Sequence, residues 1–168
     1  TLVSFAVTTE KTDSIISPEF KKADSNVYLF KAETDKKGLP TGQSLKKLYD
    51  KITGLSRSGK VLACYTPGIG GIAEALKMTM GNEIGFRYGE ALTAEEIFGY
   101  NYGAFVVESA DDLSADGGLL IGRTCDDKII ACGETVLTLK DLCGIYEDKL
   151  ESVYHCNIET DGQAPANI

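Results

Sequence analysis

One short segment in the middle of the chain restricts the possible folds more than any other. Lys60 to Tyr65 is an apolar run of the kind that forms a buried central strand. Thr66 to Gly71 then contains one proline and three glycines, and Ile72 to Met78 is a strong helix-forming sequence. This order of strand, glycine-rich turn and helix predicts a helix packed directly against a β-sheet.

The glycine-rich turn is also the first candidate binding site. The backbone N–H groups of Gly68, Gly70 and Gly71, at the positive end of the predicted helix, are suited to a phosphate. The turn lacks the Gly-Lys-Ser/Thr of a P-loop and the GxGxxG pattern of a dinucleotide site. The alternative is that these glycines only permit a tight turn and close packing. Glu74, one turn into the helix, is a candidate metal or substrate contact, or else an ordinary exposed carboxylate.

The rest of the chain alternates predicted strands and helices. Predicted strands are Leu2–Val7, Val27–Phe30, Glu83–Tyr88, Gly103–Glu108, Leu119–Arg123 and Lys128–Ala131. Predicted helices begin at Ser17 (ending before Asn26), at Leu45 (ending at Gly59), at the Thr93–Glu96 capping box and at Thr138. The helix from Leu45 is predicted from the spacing of its apolar face, which is formed by Leu45, Leu48, Tyr49, Ile52 and Leu55. About seven strands with four or five helices in this order predict an α+β fold, with helices packed on a mixed or largely antiparallel sheet.

Composition and charge exclude several classes of protein. The 168 residues suit one domain, and 17 basic against 25 acidic side chains leave a net charge of −8 without a basic patch. Nucleic acids and anionic membrane surfaces are therefore poor partners. No apolar run approaches the roughly 20 residues of a membrane span. No signal-peptide pattern is present, and because the five cysteines fit neither a disulfide framework nor a zinc ribbon, we expect a cytoplasmic protein. Since the sequence also lacks an initiator Met, we expect it to be an internal segment of a longer protein.

The remaining reactive residues do not form a recognisable catalytic or metal pattern. No two cysteines have CxxC spacing, and Cys64 has no basic neighbour, so we expect mostly buried, reduced thiols. His155 is the only histidine, and we expect it in a solvated tail. The acidic stretch Glu108 to Asp116 is either a magnesium site or, more simply, a solvated turn. The cysteines are Cys64, Cys125, Cys132, Cys143 and Cys156.

Several segments, in their order, resemble one family. The run GIGGIAEALKMTMGNEIGF (68–86) is the most specific, and LVSFAV, ISPEFKKAD, YGAFVVES, IGRT and CGETVLTLKDLCGIYEDKLESVY accompany it. Together they resemble the C-terminal AIR-synthase-related domain of the phosphoribosylformylglycinamidine synthases, and more narrowly the second such domain of the large, single-chain form. The similarity implies one domain over residues 1–154, and a tail or linker toward a glutaminase domain over 155–168.

The resemblance implies a definite chemistry for the full-length enzyme. The family makes formylglycinamidine ribonucleotide in purine biosynthesis, from formylglycinamide ribonucleotide, ATP and glutamine. Its cofactors would be ATP, converted to ADP, and Mg²⁺. Its fold in this domain is a mixed sheet with packed helices, partly like a ferredoxin-like sandwich. The implied partners are an N-terminal AIR-synthase-like domain, a paired C-terminal domain and the glutaminase domain, and the fragment itself could form a homodimer.

One departure from the family pattern concerns catalysis. Gly70 and Gly71 match the family's paired glycines, but Tyr65, Thr66 and Gly68 stand where catalytic copies carry His, Asp and Ser. We therefore expect the non-catalytic, structural copy, inactive by itself. Alternatives are a kinase or synthetase of the same superfamily, such as selenophosphate synthetase or thiamine phosphate kinase, and a stand-alone binding module. The ISPEFKKA and KLESVY segments argue against the former.

Overall fold

A computed structural model describes residues 3–90, 92–150 and 152–153. These residues form one seven-stranded mixed sheet of order β2-β4-β1-β5-β3-β6-β7, in which only the β3–β6 pair is parallel. The strands are β1 Asn26–Phe30, β2 Ala63–Tyr65, β3 Gly85–Tyr88, β4 Phe105–Ser109, β5 Leu119–Cys125, β6 Ile129–Cys132 and β7 Thr135–Thr138. The predicted α+β class with a mixed sheet is confirmed.

Helices cover both faces of this sheet. The α-helices are α1 Gly42–Arg57, α2 Leu76–Met80, α3 Ala94–Phe98 and α4 Leu139–Asp148, and 3-10 turns span Thr12–Ser14 and Gly71–Ala75. On β1, Tyr28 and Phe30 point to the face that α1 covers, whereas Val27 and Leu29 join the core on the opposite face. The latter core also contains buried residues of the Gly71–Ala75 turn, α2, α3 and α4.

Helix α1 forms as its amphipathic pattern predicts and extends beyond the predicted start. Its inward residues Leu48, Ile52 and Leu55 are buried against the sheet. The Thr41 side chain accepts a hydrogen bond from the Ser44 amide, and the Ser44 hydroxyl bonds back to the Thr41 amide, closing a capping box. Gly59 (φ +74°) ends the helix, as predicted, in a conformation that favours glycine.

Two predictions for the N-terminal region are wrong. The described part of the predicted strand Leu2–Val7 forms no strand and pairs with no other segment of the described residues, and the side chains of Val3 and Phe5 are 82% and 89% exposed. No helix follows Ser17 either. The amide of Phe20 donates to the Met78 carbonyl at 2.8 Å, and the next amides donate to a side chain of β4. Long-range partners thus replace the hydrogen bonds that a helix would make.

The sheet also differs from prediction at its edges. The apolar segment predicted as a central strand becomes the short edge strand β2, which pairs only with β4 within the described residues. Strand β7 was not predicted, although Thr135–Thr138 has a suitable composition and Gly133 (φ +56°) opens a two-residue hairpin turn from β6. Strand β3 lies between β5 and β6, so these two strands do not form a hairpin although they follow one another in the chain.

Two expectations bear on the ends and the environment of the chain. No helix of the part of the chain that the structure describes is long and apolar enough to cross a membrane. The tail predicted for residues 155–168 lies outside the described residues, as does His155.

Candidate functional site

The glycine-rich turn connects β2 to the 3-10 turn Gly71–Ala75. The surroundings of position 71 show why a glycine is required there. Gly71 has φ +63°, and a Cβ at this position would lie 2.3 Å from the Gly99 carbonyl oxygen and 2.7 Å from that of Ile97. Its amide donates to the Gly68 carbonyl at 3.2 Å, within the turn itself. At Gly71, conformational freedom and close backbone approach are both required.

A carboxylate of the chain itself occupies the other amides of the turn. The Gly68 N–H donates to Glu74 Oε2 at 3.0 Å, and the Gly70 N–H donates to Glu74 Oε1 at 2.9 Å. The Tyr65 hydroxyl donates to Oε2 at 2.9 Å. Glu74 is therefore neither an exposed carboxylate nor a free ligand, and its two oxygens bridge the ends of the loop. We call the following five residues the glutamate-closed loop: Tyr65, Gly68, Gly70, Gly71 and Glu74.

Lys77 supports this arrangement from the next turn of the helix. Its ammonium donates to the Tyr65 hydroxyl at 3.0 Å and lies 3.9 Å from Glu74 Oε2. Partial burial by itself raises the pKa of the Glu74 carboxyl. The hydrogen bonds from Gly68, Gly70 and Tyr65 and the charge of Lys77 outweigh that effect and hold the pKa below its ordinary value. Glu74 is therefore ionised at neutral pH.

The chemistry of this loop follows from that ionised carboxylate. A phosphate approaching the amides of Gly68 and Gly70 has to displace Glu74, which already supplies the negative charge that such amides bind. A Cβ on Gly70 would lie 2.8 Å from Glu74 Cγ, so the carboxylate and the loop are in close contact. No group of three or more potential metal ligands occurs within the described residues. In this arrangement the chain itself supplies the acceptor for the amides of Gly68 and Gly70.

The second acidic candidate has a structural role that the sequence did not indicate. Glu108 is fully buried on β4. Its carboxylate accepts hydrogen bonds from the backbone amides of Lys21 at 2.8 Å and Lys22 at 3.2 Å. The remainder of the stretch Ser109 to Gly118 forms the predicted turn, in which Asp112 accepts hydrogen bonds from Tyr28 and Ser114. The prediction of a solvated turn is thus wrong at Glu108, which anchors the segment before β1.

The thiol of Cys64 has the environment of a structural residue. It packs partly buried against the core under α1, and burial raises its pKa from 9.0 to about 11. A thiol with this pKa is almost entirely protonated at neutral pH. Cys64 thus lies on a strand and is packed against the core, as the sequence predicted.

A polar cavity that the sequence analysis did not indicate lies beside α3. It is lined by Tyr100, Asn101 and Tyr102 from the loop before β4, and by Lys31 and Thr34 from the segment after β1. The one signal in the sequence is the run Tyr-Asn-Tyr-Gly, in which Gly103 (φ +72°) follows two exposed aromatic residues. We call it the tyrosine cavity.

Comparison with known proteins gives a fold but no family by sequence. No family model and no curated protein sequence matches the chain. Among solved structures, phosphoribosylformylglycinamidine synthase II from Thermotoga maritima matches with a TM-score of 0.63 and 11% identity, over 77% of this chain and 27% of that one. The PurLQS structure from the same organism matches with 0.64 and 10% identity, over 78% and 28%. The T. maritima PurL complex with FGAR matches with 0.64 and 11%, over 78% and 30%.

These matches show the fold alone, because the identities are low. The chain has the AIR-synthase-like α+β fold of the T. maritima PurL structures and spans less than a third of their length. Other structures of that protein are complexes with ATP, AMPPCP and ADP.

Proposed function

We propose that this chain is a domain of an ATP- and glutamine-dependent amide ligase of the phosphoribosylformylglycinamidine synthase type, and that it is the non-catalytic, structural copy of its AIR-synthase-related domain. The fold shared with T. maritima PurL supports the family. The motif 68–86, which resembles the second domain of the single-chain form, supports the narrower assignment.

One observation carries the structural role. In the glutamate-closed loop, the amides of Gly68 and Gly70 bind Glu74, and Tyr65 stands where a catalytic copy would carry histidine and instead holds the same carboxylate. A loop that satisfies its own donors has no free groups with which to position a transferring phosphoryl group. Its contribution is to fix the helix after it against α3.

ATP and Mg²⁺ belong to the full-length enzyme in this proposal. The complexes of T. maritima PurL with ATP, AMPPCP and ADP suggest nucleotide chemistry for proteins of this fold. A phosphate contact at Gly68, Gly70 and Gly71 would require Glu74 to leave, so other domains of the parent would have to supply the nucleotide site. The cytoplasm is the proposed compartment, and a paired domain and a glutaminase domain are the proposed partners.

The deciding experiment replaces Gly70 with Val in the longest parent chain that contains this segment. The new side chain would collide with Glu74 Cγ, so we expect a lower melting temperature but undiminished turnover per folded molecule. Gly54→Val, on the open side of α1, is the matched control. Loss of turnover by orders of magnitude at an unchanged melting temperature would mean that the loop is catalytic.

Two further measurements separate the proposal from its rivals. This chain alone, supplied with formylglycinamide ribonucleotide, ATP and ammonia, should form no product, and steady turnover would refute the structural role. A parent gene that encodes an AIR-synthase-like domain upstream and a Cys-His-Glu glutaminase downstream agrees with the ligase. A parent without them indicates a superfamily kinase or a stand-alone module.

A further inference from the structure

Strand β7 forms an open edge of the sheet, and its sequence does not prevent further pairing. It lies at the end of the strand order and pairs only with β6 within the described residues. All four of its residues are exposed. None is charged, none is proline, and β-branched residues occupy three of the four positions. Edge strands are commonly protected from association by charges or prolines, and β7 carries neither.

The opposite edge of the sheet is better protected. Strand β2 has only three residues, and they are buried or half-buried rather than exposed. Lys60 precedes this strand and Pro67 follows it closely. A lysine and a proline are residues that discourage a further strand from pairing at an edge. Of the two edges, β7 is therefore the one that can accept another strand.

The hydrogen bonding between β6 and β7 shows which backbone groups of β7 point outward. The Leu139 amide, directly after β7, donates to the Lys128 carbonyl at 3.0 Å. Because hydrogen bonding alternates along an antiparallel pair, Leu137 also directs its backbone groups to β6. The two-residue turn into β7 gives the same alternation, since the residues that flank such a turn are hydrogen-bonded to each other. Val136 and Thr138 therefore direct their backbone groups to the open edge.

A second copy of β7 fits this edge in an antiparallel register centred on Leu137. Directly paired residues share a face of the sheet and side chains alternate between faces, so a two-fold axis passes beside one residue rather than between two. With Leu137 at the axis, Val136 of each copy pairs with Thr138 of the other, and the outward backbone groups of both are satisfied. The two Leu137 side chains then meet beside the apolar cavity of about 370 Å³ that Leu137 lines together with residues of β6 and α4.

The same register brings opposite charges together on both sides of the axis. Glu134 precedes Leu137 by as many residues as Lys140 follows it, so Glu134 of one copy opposes Lys140 of the other. Both side chains are exposed, and neither forms a salt bridge with any residue in the described part of the chain. The edge is therefore complementary in charge to itself, which favours a second copy of this chain over an unrelated strand.

We propose that β7 is the interface between two copies of this chain, whose seven-stranded sheets join edge to edge into one continuous sheet. Pairing of two four-residue strands and two ion pairs supply most of the contact. Such an interface is smaller than that of a stable complex, so the dimer has a Kd on the order of 10–100 µM. The proposal rests on the geometry and charges of this edge and does not depend on the ligase assignment.

Sedimentation equilibrium and amide hydrogen exchange of this chain test the interface. Over concentrations from about tenfold below to about tenfold above the expected Kd, we expect a monomer–dimer equilibrium. The amides of Val136 and Thr138 should be protected from exchange only at the upper concentration, whereas the Leu137 amide, bonded to β6, should be protected at both. A chain that stays monomeric throughout would overturn the proposal. Protection of Val136 and Thr138 already in the monomer would mean that another segment of the chain, such as residues 154–168, covers the edge, and would overturn it as well.

Charge reversal tests the register of the pairing. Glu134→Lys and Lys140→Glu should each weaken the dimer about tenfold, because like charges then oppose each other on both sides of the axis. The double variant restores opposite charges and should associate as the unchanged chain does. Glu90→Lys, which makes the same change of net charge at an exposed position outside β7, is the control. A double variant as weak as the single ones, or an equal loss in Glu90→Lys, would refute the interface.

Discussion

Replacing Gly71 with alanine tests the packing role of the glycine-rich turn directly. The residue has φ +63°, and its Cα faces the backbone that ends α3. A Cβ would stand 2.3 Å from the Gly99 carbonyl oxygen, a distance at which atoms must move. Since the obstructing atoms belong to the backbone, a side-chain rotation cannot relieve the contact.

The expected loss has two parts. The left-handed conformation costs an alanine about 1–2 kcal/mol, and overpacking against a rigid neighbour adds about 1–3 kcal/mol. We therefore expect Gly71→Ala to lower the free energy of unfolding by about 2–5 kcal/mol. For a chain of this size, each kcal/mol lowers the melting temperature by about 2–4 °C.

Alanine variants of two other glycines separate the conformational cost from the overpacking cost. Gly59 has φ +74° but nothing within 4 Å of its Cβ position, so Gly59→Ala should show the conformational cost alone. Gly54 lies inside α1 with open space around it, and Gly54→Ala should stabilise the chain by about 0.5–1 kcal/mol. Urea unfolding of the three variants measures the differences. Equal losses in Gly71→Ala and Gly59→Ala would show that the close approach to α3 is absent.

Three further predictions concern carboxylates and thiols. Glu74→Gln should lower the free energy of unfolding by about 1–2 kcal/mol at pH 7. Because the pKa of Glu74 in the folded chain is lowered from 4.5, this difference should vanish as the pH falls through the folded pKa. A difference that persists in acid would contradict the contact of the ionised carboxylate. Glu108→Gln should cost about 2 kcal/mol or more by urea unfolding, against little for the exposed Glu90→Gln, since one buried amide loses its acceptor. Cys64 and Cys132 should react with a thiol reagent far more slowly in the folded chain than in denaturant. For Cys64, whose pKa is about 11, the rate should differ on the order of a hundredfold. Fast labelling of either thiol in the folded chain would refute its burial.

Features whose partners lie within one helical turn could be predicted from the sequence. The capping box of Thr93 and Glu96 opens α3, and the Thr138 hydroxyl caps α4 by accepting the Asp141 amide at 3.1 Å. The apolar spacing of α1 and its end at Gly59 were predicted for the same reason. In each case the stabilising contact joins residues three or four apart, so the local sequence contains both partners.

The candidate site was predicted only in its parts. The glycines were predicted as a candidate phosphate contact and Glu74 as a candidate metal or substrate contact, because backbone amides of glycine turns bind anions and carboxylates bind cations. That they bind one another depends on the tight 3-10 turn, which brings Glu74 back over the loop. A pattern of residue types does not distinguish a ligand-binding loop from one that is closed by its own side chain.

The sequence by itself determined the helix boundaries at caps and glycines, the apolar stretches that become β1, β3, β4, β5 and β6, and the α+β class. Only the tertiary structure decided the strand order, which places β2 at an edge and β3 between β5 and β6. It likewise decided that Glu108 is buried, since its partners lie 86 and 87 residues away. The physical reason is range: caps and periodicity act within a few residues, whereas strand pairing and burial depend on which distant segments bury the most apolar surface together.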